Sequence, residues 1–197
     1  MNPKTSGVLL GTIVLATFIT AALVYPDVGN ARLAFGPPVV LLVLFGLWAL
    51  LPTIDPLNKG FVGFRYIYDF FWILLLATLA YAYALKLGEV LGWQVDIFHT
   101  MVPVIAVLIF IVGAMLPWVK RNWFFGIRTP WSLSSDAVWK ETHRLGSKLF
   151  MLAGVLIFIG TFTSRAWSIG LIVVPILGGA LVSIVYSYFV YSRQMRG

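Results

Sequence analysis

The sequence contains no cysteine, which excludes a disulfide framework and thiolate metal ligands. Histidine is scarce, with His99 and His143 as the two examples, and charged residues make up only 11% of the 197 positions. Ordinary soluble domains contain about 25% charged residues. Because 60% of the residues are hydrophobic, a water-soluble fold could not hide the apolar surface of this chain. These shortages favour a protein that lies in a lipid bilayer.

The sequence instead contains several long apolar windows without any charged residue. Each window approaches the roughly 20 residues that a helix needs to cross the hydrocarbon core of a membrane. We therefore predict an all-α integral membrane protein with six transmembrane helices in a single membrane domain, residues 1–197. The predicted spans are residues 7–25, 35–52, 68–87, 100–118, 149–165 and 168–191.

Lysine and arginine are distributed unequally between the connections of these helices. Eleven of the 14 fall at the two termini and in the connections that precede spans three and five. Cytoplasmic connections are enriched in these residues, so we predict that both termini and these two connections are cytoplasmic. The net charge of +7 is then explained by topology and by anionic lipid headgroups, without direct binding of nucleic acid.

The connection between spans four and five, residues 119–148, is predicted to be a cytoplasmic signature segment. Its first half is rich in Trp and Phe, which favour headgroup depth, while Gly126 and Pro130 interrupt any helix. Arg128 offers a planar fork of donors to a phosphate or a carboxylate. This half is therefore predicted to lie at the membrane interface.

A short interfacial helix is predicted in the second half of the same connection. Ser134 or Ser135 can cap its N-terminus, and Asp136 in its first turn suits the helix dipole. Trp139 and His143 are four residues apart, so they share one face of this helix, with lysine and arginine beside them. Such a helix is expected to lie on the membrane or under a partner.

These residues resemble the cytoplasmic signature of the SdpI family, multispanning bacterial and archaeal membrane proteins named for immunity to a secreted toxic peptide. The resemblance is close over residues 122–150, where Asn-Trp-Phe-Phe-Gly-Ile-Arg-Thr-Pro-Trp-Ser-Leu precedes Trp139 and Thr142-His143-Arg144. The N-terminal hairpin departs from the family, whose members usually carry a Pro-x-His segment and a longer outer loop there.

A second, weaker resemblance to the family lies before span three, at Ile54-Asp55-Pro56, Asn58, Phe64-Arg65 and Tyr68. We expect this loop to pack against the signature segment. The two resembling regions together supply the candidate functional residues, which are Asp55, Asn58, Arg65, Tyr68, Asn122, Gly126, Arg128, Thr129, Pro130, Trp131, Trp139, Thr142, His143 and Arg144.

The resemblance implies an immunity protein that protects the membrane, or one that signals by holding an ArsR-type winged-helix repressor at the cytoplasmic face. The expected partners are membrane lipids, a peptide toxin and this repressor, with no catalytic group, cofactor or metal. Arg128 is expected to bind an acidic group, and Trp131 and Trp139 to set the depth of the segment. His143 and Arg144 are expected to face the cytoplasmic partner.

Two other functions stay open. A transporter of small molecules or lipids matches the six helices, although apolar windows without charge argue against proton coupling. A membrane-embedded enzyme would use His143 as a general base beside Asp136 and Glu141. His99 falls on the opposite face from His143 by the charge count, so the two cannot share a metal ion. Small residues four apart predict helix contacts and leave a homo-oligomer open.

Overall fold

The computed structural model describes residues 3–57 and 59–195, with residues 59–62 described by their backbone alone. The candidate residue Asn58 lies outside the described residues. Over the described ranges the protein is all-α, and six helices there are long and apolar enough to cross a membrane. The predicted multi-pass helical membrane protein is thereby confirmed.

The helices begin and end beyond most of the predicted spans, because polar residues continue a helix past the edge of its apolar window. A 3₁₀ turn over Leu116–Trp118 follows the fourth helix, and the third helix is kinked at Phe64. In chain order the helices are α1 (Pro3–Val28), α2 (Ala31–Ile54), α3 (Lys59–Val90), α4 (Ile97–Met115), α5 (Asp136–Gly160) and α6 (Arg165–Gln194).

The predicted short helix between spans four and five is not a separate element. One continuous helix, α5, begins at Asp136 and ends at Gly160, so the predicted boundary at residue 148 is absent. No proline interrupts this stretch, and Gly146, the glycine beside the predicted boundary, lies on its buried face. The 25 residues of α5 extend about 38 Å, more than the hydrocarbon core of about 30 Å requires.

The described residues pack into two compact units. The first comprises those of Met1–Ile54 and Tyr68–Met101, and the second those of Asp55–Ile67 and Val102–Gly197. The first unit contains a buried carboxylate, Asp69 on α3, which accepts hydrogen bonds from Ser6 Oγ and Trp48 Nε1, both at 2.8 Å. An acid inside a span is costly unless it is hydrogen-bonded, and these bonds join α1, α2 and α3.

In the second unit α4 and α5 approach each other closely at two glycines. A Cβ on Gly154 would lie 2.7 Å from Phe110 Cβ, and one on Gly113 would lie 2.6 Å from the backbone nitrogen of Met151. Small residues at such points let helix backbones come together in a membrane. The C-terminal half of α4 consequently packs against the C-terminal half of α5, and residues 119–135 lie in the connection between the two helices.

Candidate functional site

Residues 119–135, the connecting segment, contain no helix or strand. A helix satisfies its own backbone N–H and C=O groups, whereas an irregular segment must find other partners for them. In this segment the partners are largely side chains, and most of them belong to the candidate residues.

Asn122 organises the first turn of the connecting segment. Its Oδ1 accepts hydrogen bonds from the backbone N–H groups of Phe124 at 2.8 Å and Phe125 at 2.6 Å. Its Nδ2 donates to the carbonyl oxygens of Lys120 and Phe125, each at 2.9 Å. An amide side chain offers two acceptor sites and two donors, so the buried Asn122 uses its full capacity on partners between Lys120 and Phe125.

Asp55 and Arg128 both bind the backbone of Trp123, Asp55 at its N–H and Arg128 at its carbonyl. Asp55 is buried, and its Oδ1 accepts from the N–H of Leu57 at 2.6 Å while its Oδ2 accepts from the N–H of Trp123 at 2.9 Å. The Arg128 guanidinium donates to the Trp123 carbonyl at 2.6 Å. The predicted packing of the Asp55 loop on the segment is therefore present.

The expected carboxylate partner of Arg128 is not found in the described residues. Both oxygens of Asp55, the carboxylate that binds the Trp123 amide, already accept backbone N–H groups, and the Arg128 guanidinium binds a carbonyl instead. Arg128 is exposed, and a guanidinium has five N–H donors, so most of its capacity is available to an external acid.

His143 on α5 accepts a hydrogen bond from the backbone of the connecting segment. Its Nε2 lies 3.0 Å from the N–H of Ile127, and its Nδ1 lies 2.9 Å from the Trp139 carbonyl. An amide N–H can only donate and a carbonyl can only accept, so the imidazole is neutral with its proton on Nδ1. The ring also stacks on Trp139 with centroids 4.0 Å apart.

Two glycines make room for this contact. Gly126 has φ of +107°, a conformation that favours glycine, and a Cβ there would collide with His143 Nε2. A Cβ on Gly146, one turn further along α5, would collide with Ile127 Cδ1. Trp139 is buried in the same site, and its Nε1 donates a hydrogen bond to the Val119 carbonyl at 2.8 Å.

Thr129 and Ser132 form the last turn of the connecting segment around Pro130. The N–H of Thr129 donates to Ser132 Oγ at 2.8 Å, and the N–H of Ser132 donates to Thr129 Oγ1 at 2.9 Å. Thr129 Oγ1 also lies 2.9 Å from Ser187 Oγ on α6. Trp131 is half-buried and packs edge-on against an α6 tyrosine, Tyr188, with ring centroids 5.2 Å apart.

The start of α5 is fixed by a cap and an ion pair. Ser135 is the N-cap and accepts from the N–H of Val138 at 3.2 Å, which confirms the capping predicted for Ser134 or Ser135. Asp136 in the first turn pairs with Arg121 Nε at 2.7 Å. Sequence reasoning missed Arg121 as a site residue, because a basic residue after a span is expected for topology alone.

Several expectations for individual residues are wrong. His143 is 1% exposed, so it cannot face a partner, and neither ring nitrogen is free to act as a general base. Trp139 is 2% exposed and belongs to the protein interior, so it does not anchor the segment in lipid. Thr142 is also buried, and its hydroxyl has no hydrogen-bond partner within the described ranges.

The remaining candidates differ in position. Arg144 is exposed on α5, and Arg65 is half-buried on α3 in the second unit. Tyr68 belongs to the first unit, where its hydroxyl donates to the Trp48 carbonyl at 2.9 Å. Among the residues that the structure describes, no three His, Asp or Glu side chains lie close enough together to hold a metal ion.

Residues 119–187 match the SdpI/YfhL protein family, so the match begins with the connecting segment and extends through α5 into α6. The chain is also 27% identical over 160 residues to the protein named Immunity protein SdpI of Bacillus subtilis (strain 168), which covers 79% of this chain and 73% of that protein. Both matches support membership of the chain in the SdpI family. No solved structure matches it.

The matched region contains every residue of the hydrogen-bonded site except Asp55 and Leu57. Most of the conspicuous residues in the SdpI-like signature are therefore structural in this chain. Asn122, Gly126, Trp139 and His143 hold the connecting segment on α5, and they leave Arg128 and Arg144 at the surface.

We predict that Asn122→Asp destabilises the protein by about 1–3 kcal/mol, because the partly buried carbonyls of Lys120 and Phe125 lose their donor while the two acceptor contacts are kept. The free energy of unfolding in a neutral detergent measures this change. Asn30→Asp is the matched control, since the exposed Asn30 only accepts hydrogen bonds, from the N–H groups of Arg32 and Leu33. Equal effects of the two substitutions would contradict the role given to Asn122.

Proposed function

We propose that this chain is a multi-pass immunity protein that protects the cell membrane against a secreted antimicrobial peptide toxin. The observation that carries the proposal is the position of the family match, which begins at the connecting segment and includes α5 and most of α6. The named immunity function of the Bacillus subtilis relative supports it. The working surface would then be the outer face of the segment and of the first turns of α5.

This outer face is basic and partly aromatic. Arg128 in the segment and Lys140 and Arg144 on α5 are exposed, and Trp123 in the segment is 50% exposed. We infer that Arg128 meets an acidic group from outside the chain, either a lipid phosphate or a carboxylate of a partner. Its hydrogen bond to the Trp123 carbonyl supports this role, because it restrains the guanidinium before a ligand arrives.

We further propose that both termini and the connecting segment are cytoplasmic. The distribution of lysine and arginine supports this orientation, with 11 of 14 on that side. In this orientation the surface around Arg128 and Arg144 is available to a cytoplasmic protein. A signalling member would use it to hold an ArsR-type repressor, and assembly of the chain into a homo-oligomer is compatible with both roles.

One observation favours a second candidate, a transporter of a small molecule or a lipid. The charge-free window of the third span begins only at Phe70, and the preceding residue, Asp69, is buried within α3. Ionisable residues inside spans often mark transport pathways. However, both Asp69 oxygens accept hydrogen bonds from neighbouring helices, which gives the carboxylate a structural role. Immunity therefore remains the function that we propose.

The immunity proposal predicts that Arg128→Ala abolishes protection. A sensitive bacterium would be challenged with the secreted toxic peptide for which the family is named, with and without this chain at equal expression. The intact chain is expected to restore growth, Arg128→Ala to lose that effect, and Arg128→Lys to keep only part of it, because an ammonium lacks the bidentate fork. Arg32→Ala is the control, since Arg32 is an exposed arginine in the first turn of α2 and belongs to the first unit. Equal loss in both alanine variants, or no protection by the intact chain, would contradict the proposal.

The orientation is tested by single cysteines, which are unique labels in a chain without native cysteine. A membrane-impermeant maleimide added to whole cells is expected to label Asp27→Cys and to label Lys140→Cys only after the membrane is permeabilised. Both positions are exposed, so access to the reagent depends on the side of the membrane. Labelling of Lys140→Cys in intact cells would show that the orientation is reversed.

A further inference from the structure

A cavity of about 700 Å³ lies in the second unit, beside the connecting segment. The loop after α2, the 3₁₀ turn after α4 and the first turns of α5 surround it. Its deepest lining residues are buried, namely Val119 at 3% exposure and Trp139 at 2%. Pro56, Leu57 and Pro117 add further apolar surface to its wall.

The charged residues around this cavity are mostly cations. Lys120, Arg121 and Lys140 line it together with one acid, Asp136. Arg121 already pairs with Asp136 at 2.7 Å, so these two charges cancel locally. Lys120 and Lys140 are exposed, and within the described ranges neither ammonium group has a hydrogen-bond or ion-pair partner. The cavity therefore offers two available positive charges above an apolar floor.

The two helices that border the cavity, α4 and α5, indicate its level in the membrane. The candidate span Ile97–Trp118 ends two residues before Lys120, and Trp118 is 68% exposed, as expected for an aromatic residue at headgroup level. Lys140 lies 20 residues before Gly160, the end of α5, which corresponds to about 30 Å of helix. Both lysines therefore lie at the edge of the hydrocarbon core, where lipid phosphates are found.

We propose that this cavity is a binding site for the headgroup phosphate of an anionic phospholipid. Lys120 and Lys140 supply the charge that attracts the phosphate, and the apolar wall accepts the glycerol region and the first methylene groups of the lipid. The site is distinct from Arg128, which does not line the cavity. The inference is independent of the immunity proposal, because it depends only on the cavity, its charges and its depth.

The test uses the purified full-length chain in a neutral detergent. Its thermal unfolding midpoint would be followed while phosphatidylglycerol, phosphatidylcholine with the same acyl chains, glycerol phosphate or inorganic phosphate is added. Phosphatidylglycerol is expected to stabilise the chain most, because it alone joins a net negative charge to acyl chains. The double variant Lys120→Gln/Lys140→Gln is expected to bind it about tenfold more weakly, as the loss of two partly exposed charge contacts implies.

The matched control is Lys148→Gln/Arg193→Gln, which removes the same charge from exposed positions that do not line this cavity. Affinity is expected to stay near that of the intact chain in this control, and to be retained in Lys120→Arg/Lys140→Arg. Equal weakening in both glutamine pairs would show attraction to surface charge in general and would overturn the site. No preference for phosphatidylglycerol would also overturn it. Equal stabilisation by inorganic phosphate would assign the cavity to free phosphate and reject the lipid.

Discussion

The N–H groups of an irregular segment at a membrane surface need partners, and in this chain side chains supply them. Six backbone amides of the connecting segment donate to side chains. They are that of Trp123 to Asp55, those of Phe124 and Phe125 to Asn122, that of Ile127 to His143, that of Thr129 to Ser132 and that of Ser132 to Thr129. Without these acceptors the segment would have to fold as a helix or leave the interface. The surface that carries Arg128 and the cavity beside Lys120 both depend on this arrangement.

The same constraint explains why small and aromatic residues accompany the acceptors. The backbone can reach His143 because Gly126 has no side chain, and Gly146 leaves room for the Ile127 side chain in its present position. Trp139 then covers the ring of His143. A signature that combines glycine, tryptophan and histidine is thus a packing solution, and the residues that remain exposed are the ones available for recognition.

The spans were predictable because apolar windows report directly on a lipid environment, and the Ser135 cap was predictable because a cap is a local pattern. The burial of His143 was not, since its acceptor role depends on an amide 16 residues earlier that no sequence spacing places nearby. The continuity of α5 was hidden by its lysines and arginines, which were interpreted as marking the end of a separate helix. The burial of Asp69 was missed because a window chosen for its lack of charge ends before any acid. It therefore also ends before an acid whose carboxylate is hydrogen-bonded inside the fold.

Residue-resolved amide hydrogen exchange of the connecting segment tests the central claim most directly. The amides of residues 123, 124, 125, 127 and 129 should exchange slowly, whereas those of Gly126 and Arg128, which have no acceptor within the described ranges, should exchange quickly. In His143→Phe the largest gain in exchange rate should fall on Ile127. Uniformly fast exchange across the segment, or no change at Ile127 in the variant, would contradict the account.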